Sequence, residues 1–204
     1  MKRILSVMMI LILMCTFAAC GEKTDVKEEA SAEDTETAQT EAEDTEESEK
    51  VLVVYFSATG TTKSVAEKIA KVTDADLYEI KPADPYTEDD LNWHDDSSRT
   101  SLEQNDPSVR PEIKGNGIDP GDYDVIYVGY PIWWGEEPRI MDTFAESYDF
   151  GDTVMIPFCT SSSSGIGKSG RNLEDAAGSG NWKDGKRFGA GATEDEVRSW
   201  IESL

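Results

Sequence analysis

The chain has 204 residues and a formal net charge of −23, with 42 acidic against 19 basic side chains. This length accommodates one domain with additional segments. The acidic charge argues against nucleic acid as a partner, because contacts to phosphates need a basic surface, and favours cationic partner surfaces instead.

The first twenty residues have the pattern of an export signal. Two basic residues precede an apolar run at about 4–14, which is shorter than the ~20 residues of a membrane-spanning helix. Small residues then lead to Cys20, in a pattern that resembles the lipobox of bacterial lipoproteins, although Phe17 stands where that motif usually has an aliphatic residue. We therefore predict a signal peptide at 1–19 and lipidation of Cys20. The alternative is an ordinary secretory signal that leaves Cys20 as a free thiol.

The segment 20–50 is dominated by acidic and small polar side chains. Residues 21–50 hold thirteen acidic side chains, three lysines and no aromatic residue. Such a segment cannot bury enough apolar surface to offset its ordering entropy, so we predict a disordered, extended tether. It would hold a domain at 51–204 on the extracytoplasmic face of the cell membrane, with the lipid on Cys20 as the only membrane contact.

From residue 51 onward, strand patterns alternate with helix patterns. Apolar, β-branched runs predict strands at 51–56, 76–80, 124–130, 153–158 and, more weakly, 186–188. Helical spacing of apolar residues predicts helices at 62–71, 138–148, 169–177 and at the C terminus. The segment 82–122 is polar and contains five prolines; its only helical pattern lies around 97–105.

The C-terminal helix carries its own start signal. Thr193 is the predicted N-cap, and Glu196 three residues later would complete a capping box. The apolar residues Val197, Trp200 and Ile201 then recur at helical spacing and are expected to face the core.

Strands that alternate with helices imply a parallel sheet with helices on both faces, joined by right-handed crossovers. Five strands predict an α/β three-layer sandwich. In such sheets, ligands bind beyond the C-terminal ends of the strands, where the strand order reverses. The loops after the first, third and fourth strands are therefore the candidate binding elements.

The loop after the first strand has the composition of a phosphate site. It reads Ser57-Ala58-Thr59-Gly60-Thr61-Thr62 and leads directly into a helix. Four hydroxyls, a glycine and the unpaired N–H groups of a helix start can hold a phosphate dianion without an arginine. The alternative is a helix cap that happens to be rich in Ser and Thr.

Two adjacent tryptophans follow the third strand, in the segment Tyr130-Pro131-Ile132-Trp133-Trp134-Gly135. Two indoles at a strand exit are well suited to flank a flat conjugated ring, because stacking adds to simple burial of area. One of the two could instead pack beneath the loop.

The loop after the fourth strand, at 160–169, is rich in serine and glycine. Small residues let the backbone approach the polar edge of a ring and offer it N–H groups. The same loop is one position short of a P-loop, because Ser162 replaces the first glycine of that motif. No apolar run ending in Asp is available to hold magnesium, so nucleotide hydrolysis is the less favoured interpretation.

Together these motifs resemble those of the flavodoxins. Ser57, Thr59, Gly60 and Thr62 form an S-x-T-G-x-T pattern that is similar to the FMN phosphate loop of that family. The segments Y-P-I-W-W-G and C-T-S-S-S-S-G-I-G, and the segment 110–113, resemble flavodoxin-like proteins found across bacteria. The resemblance covers 51–204. It departs from the family at the long segment 82–122 and at Thr61, where asparagine is frequent.

The resemblance implies a flavodoxin-like sheet of strand order 2-1-3-4-5, with FMN bound at the switch between strands one and three. The residues that it assigns to the phosphate are Ser57, Thr59, Gly60, Thr61 and Thr62. Those assigned to the border of the isoalloxazine ring are Pro131, Ile132, Trp133 and Trp134. Those assigned to the pyrimidine side of the ring and the ribityl chain are Thr160, Ser161, Ser162 and Gly165.

In function, the resemblance implies an electron carrier that works with a redox partner protein or a small-molecule electron acceptor. An alternative is an FMN-dependent NAD(P)H reductase of quinones, nitro or azo compounds, although no G-x-G-x-x-G motif for a nicotinamide cofactor follows a strand. A third hypothesis is a binding module that has lost its flavin; the intact first loop and the paired tryptophans argue against it.

Overall fold

The structure, a computed structural model, describes residues 49–115 and 117–204. The strands are β1 (Val51–Phe56), β2 (Asp76–Pro82), β3 (Ile113–Lys114), β4 (Val125–Pro131), β5 (Val154–Thr160), β6 (Asn181–Trp182) and β7 (Lys186–Phe188). The helices are α1 (Thr61–Thr73), α2 (Arg99–Asn105), α3 (Arg139–Glu146), α4 (Ser169–Ala177) and α5 (Glu194–Ile201). The predicted signal peptide, the predicted lipidation site Cys20 and nearly all of the predicted tether lie outside the described residues.

The strands form one sheet in the order β3-β2-β1-β4-β5, with β6 and β7 both paired to β5. β1 runs parallel to β2 and β4, β4 runs parallel to β5, and β5 runs parallel to β7. The five predicted strands therefore have the predicted flavodoxin-like order and direction. Among the described strands, β3 is antiparallel to its neighbour β2.

Two of the short strands, β3 and β6, are absent from the sequence prediction. β6 pairs with Val154 and Met155 at the start of β5, whereas β7 pairs with the end of β5 at 158–160. Pro157, which has no N–H to donate to a neighbouring strand, lies between the two pairings. The predicted fifth strand is thus present as β7, and β6 is an additional strand beside β5. Strands of two residues carry no periodic signal in the sequence.

The sheet is covered on both faces. Alternate residues of β1 enter opposite clusters: Val53 and Tyr55 pack with α1 and α5, whereas Val54 and Phe56 pack with α3 and α4. The helices that follow the neighbouring strands β1 and β4 consequently lie on opposite faces of the sheet. This divergence opens a crevice at the C-terminal ends of β1 and β4, which is where ligands of such folds bind.

The predicted start of the C-terminal helix is confirmed. The hydroxyl oxygen of Thr193 accepts a hydrogen bond from the Glu196 N–H at 3.2 Å. Val197 and Trp200 are buried as expected, and Ile201 is half-buried. None of the helices in the described part of the chain combines the length and the apolar character that a membrane crossing needs.

Candidate functional site

The structure brings the three predicted loops together at one edge of the sheet. The hydroxyl oxygens of Thr62 and Thr160 are hydrogen-bonded at 2.8 Å, and both residues are buried. This contact joins the start of α1 directly to the end of β5. The Ile132 N–H donates to the Thr160 carbonyl at 2.9 Å, which joins the second loop to the third.

The start of α1 has no side-chain cap. Gly60 precedes the helix with a φ of +86°, and its N–H donates to the Ser57 hydroxyl at 3.1 Å. The amides of the first turn at 61–63 have no intrahelical acceptor, as at any helix start. Thr59 and Gly60 are exposed, and a Cβ at Gly60 would meet no atom within 4 Å. Thr59 and Gly60 therefore border open space, whereas the Thr62 hydroxyl is buried against Thr160 and does not face it.

The charge around the same helix start suits an anion. The first turn of α1 contains no acidic residue, whereas the first turn of α5 contains three. In a chain this acidic, a helix start that lacks both a side-chain cap and an acidic residue in its first turn keeps its positive end available to a ligand. The residues present thus fit the phosphate group of FMN.

The two tryptophans that follow β4 have different surroundings. Trp133 and Glu136 exchange backbone hydrogen bonds of 2.9 and 3.0 Å, and the residues between them, Trp134 and Gly135, have φ values of +49° and +89°. Two consecutive positive φ angles define a type I′ turn. Such a φ is unusual for a bulky residue, and here the turn directs Trp134 away from the core, so that its side chain is 49 % exposed.

Trp133 instead packs beneath the loop. Its ring makes edge contacts with Phe56 and Tyr86, at centroid distances of 5.6 and 5.4 Å. Of the two predicted ring-flanking indoles, Trp134 is therefore the one whose face is free to stack. Pro131 and Ile132 are half-buried at the base of the loop.

The third loop is held by an arginine that sequence reasoning missed. Arg187 in β7 donates through Nη2 to the carbonyl oxygens of Ser161 and Ser162, at 2.8 and 2.7 Å. The Ser161 hydroxyl bonds to the Ser164 carbonyl, which tightens the turn. Ser162 and Gly165 are exposed at the rim. Arg187 belongs to no motif in the sequence, so only its place beside β5 reveals this role.

A cluster of buried polar side chains is hydrogen-bonded to the backbone of the tryptophan loop. The Gln104 amide in α2 donates to the carbonyl oxygens of Trp133 and Glu137, at 3.3 and 3.2 Å. The Glu137 carboxylate, in a residue only 1 % exposed, accepts from the Asn172 amide of α4 at 3.1 and 3.2 Å. These bonds tie α2, the tryptophan loop and α4 together.

The burial of Glu137 has a consequence for stability. Desolvation, reinforced by the charge of nearby Asp142, raises the pKa of Glu137 to about 7. Because this pKa is higher in the folded than in the unfolded chain, the folded state is favoured most below the ordinary carboxyl pKa. It then loses stability as the pH rises through about 7.

Glu137→Gln should remove this pH dependence. The variant is expected to equal the wild type near pH 4 and to be more stable by roughly 3 kcal/mol at pH 8, measured as the free energy of unfolding in urea. Glu174→Gln, on the exposed side of α4, is the matched control. A wild type whose stability relative to Glu137→Gln is the same at both pH values would contradict the prediction.

The comparisons with known proteins agree with this fold. The sequence profile of the flavodoxin family matches residues 50–204. A structure from Bacteroides eggerthii, assigned as a flavoprotein, is 44 % identical, covers 76 % of this chain and 98 % of that chain, and gives a TM-score of 0.71. A similarly assigned protein from Bacteroides uniformis has the same identity and coverage, with a TM-score of 0.72.

A third structure is a flavoprotein from Lactobacillus acidophilus in complex with FMN. It is 26 % identical, covers 75 % of this chain and 99 % of that chain, and gives a TM-score of 0.57. Among curated proteins, no sequence matches this chain significantly. The chain belongs to the flavodoxin family.

Proposed function

We propose that this chain binds FMN at the switch point between β1 and β4 and transfers electrons. The observation that carries the proposal is the uncapped, acid-free start of α1, which hydrogen bonds through Thr160 join to the loop that carries the exposed Trp134. A family member that is 26 % identical has been solved with FMN bound. FMN would supply the redox chemistry, and the protein would bind and orient it.

Each loop has a separate task in this proposal. The exposed part of the loop 57–62 and the free amides of the first turn of α1 hold the phosphate, and the Trp134 indole stacks on the ring. The backbone of the third loop, held by Arg187, offers N–H groups to the pyrimidine edge. The acidic domain disfavours a further negative charge on the flavin, and so lowers its reduction potential.

The test of this proposal is the absorption spectrum of the purified chain. We expect flavin bands that bleach on reduction with dithionite, in a ratio of about one FMN per chain, and FMN should bind more tightly than riboflavin, which lacks the phosphate. A colourless protein that also fails to take up added FMN would contradict the proposal. Bleaching by NADH or NADPH alone would favour the reductase over the electron carrier.

We also propose that the domain works at the extracytoplasmic membrane face, attached through a lipid on Cys20. The support is the lipobox-like sequence before Cys20 and the acidic segment after it. In a bacterial host, the wild type should sediment with membranes, whereas Cys20→Ser should leave the precursor uncleaved or release the protein. Mass spectrometry of the N terminus is the direct check, since a mature chain that begins elsewhere than residue 20 rules out this anchor.

A further inference from the structure

Tyr86 lies between an indole and a carboxylate. Its ring makes an edge contact with the ring of Trp133, at a centroid distance of 5.4 Å and an interplanar angle of 85°. Its hydroxyl donates a hydrogen bond of 2.7 Å to Oε2 of Glu103, in α2. Glu103 is only 7 % exposed. Tyr86 thus has a neighbouring ring with which it can exchange an electron, and a buried base that can take its proton.

This combination occurs once among the seven tyrosines, all of which lie in the described part of the chain. Tyr127 packs on the Trp200 ring at a similar centroid distance of 5.7 Å, but its hydroxyl donates to no carboxylate of the described residues. Tyr123 donates to the Asp76 carboxylate at 3.2 Å, but no described tryptophan ring packs against it. Tyr127 is therefore an internal reference for a tyrosine with an indole and without a base.

An arginine holds the Glu103 carboxylate in position. The Nε of Arg99 donates to Oε1 of Glu103 at 2.7 Å, which leaves Oε2 for the Tyr86 hydroxyl. The Arg99 guanidinium also lies over the Tyr86 ring, 4.2 Å from the centroid. A positive charge at this place disfavours a second positive charge on the ring. Loss of an electron from Tyr86 is therefore favoured only when the hydroxyl proton leaves as well.

The hydroxyl proton has an acceptor in place. Burial, reinforced by the hydrogen bond to Glu103, raises the pKa of Tyr86, so the phenol keeps its proton at neutral pH. A one-electron oxidised phenol is a strong acid, and its formation is much easier where a base receives the proton. Proton transfer needs a heavy-atom distance of about 2.6–3.2 Å, and the 2.7 Å bond to Glu103 meets this requirement.

The positions of the two rings are fixed by the same elements. The amide of Gln104, the residue after Glu103, donates to the Trp133 carbonyl at 3.3 Å. The buried Phe56 ring contacts both aromatic rings, at centroid distances of 5.6 Å from Trp133 and 5.8 Å from Tyr86. Aromatic rings held in contact exchange electrons rapidly. Trp133 itself is half-buried, so that its exposed part is accessible to an oxidant.

We propose that Tyr86 is a redox-active tyrosine, which returns an electron to Trp133 after an oxidising radical has removed one. The oxidant, of the class of hydroxyl and alkoxyl radicals, takes one electron from the indole and leaves its radical cation. Tyr86 then gives one electron to the indole and its hydroxyl proton to Glu103, and becomes a neutral phenoxyl radical. At neutral pH the oxidised indole is the stronger oxidant of the two, so this direction is favourable.

A thiol that gives up a hydrogen atom restores Tyr86, and Glu103 then releases its proton to water. The transfer protects the loop that carries Trp133, because an oxidised indole that is not reduced reacts further to hydroxylated and ring-opened products. A benefit to the flavin rests on the proposed function, since this loop is proposed to border the flavin ring. The electron and proton transfer itself needs no flavin.

The test is pulse radiolysis of the flavin-free full-length chain with azidyl radicals, which oxidise indoles in preference to phenols. We expect the absorption of the indolyl radical to decay in a first-order phase, independent of protein concentration, while that of the phenoxyl radical grows at the same rate. Tyr86→Phe and Trp133→Phe, which each keep an aromatic ring, should at least halve the amplitude of this phase. Tyr127→Phe is the matched control and should retain it.

Glu103→Gln separates the base from the ring contact. Glutamine keeps the shape and can accept the Tyr86 hydrogen bond, but it cannot take the proton, so the phase should slow by about tenfold or more. The wild-type rate should also fall in D₂O. An unchanged rate in Glu103→Gln would overturn the proposal, as would a phase of wild-type amplitude in Tyr86→Phe or Trp133→Phe.

Three variants test the same transfer, so a failure of one of them to fold would leave the other two to decide. The assay contains no flavin, and its result is therefore independent of the proposed function. A chain that shows this phase and binds no FMN would refute the proposed function and support the redox-active tyrosine. A chain that binds FMN and lacks the phase would do the reverse.

Discussion

Thr61→Asp is expected to lower the affinity for FMN by more than about 100-fold while leaving the affinity for riboflavin within about twofold. Thr61 is the first residue of α1 and is half-buried beside the free amides of the first turn. In the proposed site a carboxylate there would face the phosphate, and like charges ~5 Å apart repel by about 3 kcal/mol at an effective dielectric constant of 20. Riboflavin has no phosphate to repel.

The same substitution should not harm the fold. A negative charge in the first turn of a helix stabilises it by roughly 0.3–1 kcal/mol, so the thermal midpoint of the flavin-free protein should hold or rise. Thr61→Asn has nearly the shape of aspartate without its charge and is the control. Titration of FMN and riboflavin against both variants separates the effect of the charge from the effect of the side-chain shape. If Thr61→Asp weakens riboflavin as much as FMN, the phosphate does not bind at this loop.

Gly129→Ala is expected to destabilise the domain by about 3 kcal/mol, the upper range for overpacking of a core. Gly129 lies in β4, directly opposite Phe158 of β5. A Cβ on residue 129 would lie only 2.1 Å from the Cζ atom of the Phe158 ring. Phe158 is fully buried and packs against Phe188, so the ring has no free space into which it can move.

The free energy of unfolding in urea measures this loss of stability, and two further variants test its cause. Gly189→Ala should change stability by less than about 0.5 kcal/mol, because a Cβ there meets no atom within 4 Å and the backbone φ is ordinary. In a background of Phe158→Leu, Gly129→Ala should cost much less, since residues in contact couple by about 0.5–3 kcal/mol. Additive effects of the two substitutions would show that the clash is not the cause.

Much of the framework follows from local sequence patterns. The bounds predicted for β1, α4 and β7 agree with the structure to the residue, because buried strands and amphipathic helices carry their signal within a few neighbouring residues. The positions of the three loops also follow, since parallel strands place their C-terminal ends at one edge of the sheet. Sequence reasoning could thus predict which segments would meet.

The exposure and anchoring of the side chains in these segments depend on contacts between distant parts of the chain. The choice between the two indoles depends on Phe56 and Tyr86, which cover Trp133 and leave Trp134 exposed. The anchoring of the third loop depends on Arg187, 26 residues beyond Ser161. Outside α2, the segment 82–122 follows no periodic pattern, because side-chain hydrogen bonds and ring contacts hold it, and these form only when the sheet and α3 are in place. The burial of Glu137, which is bonded to Gln104 of α2 and Asn172 of α4, could likewise be found only in the tertiary structure.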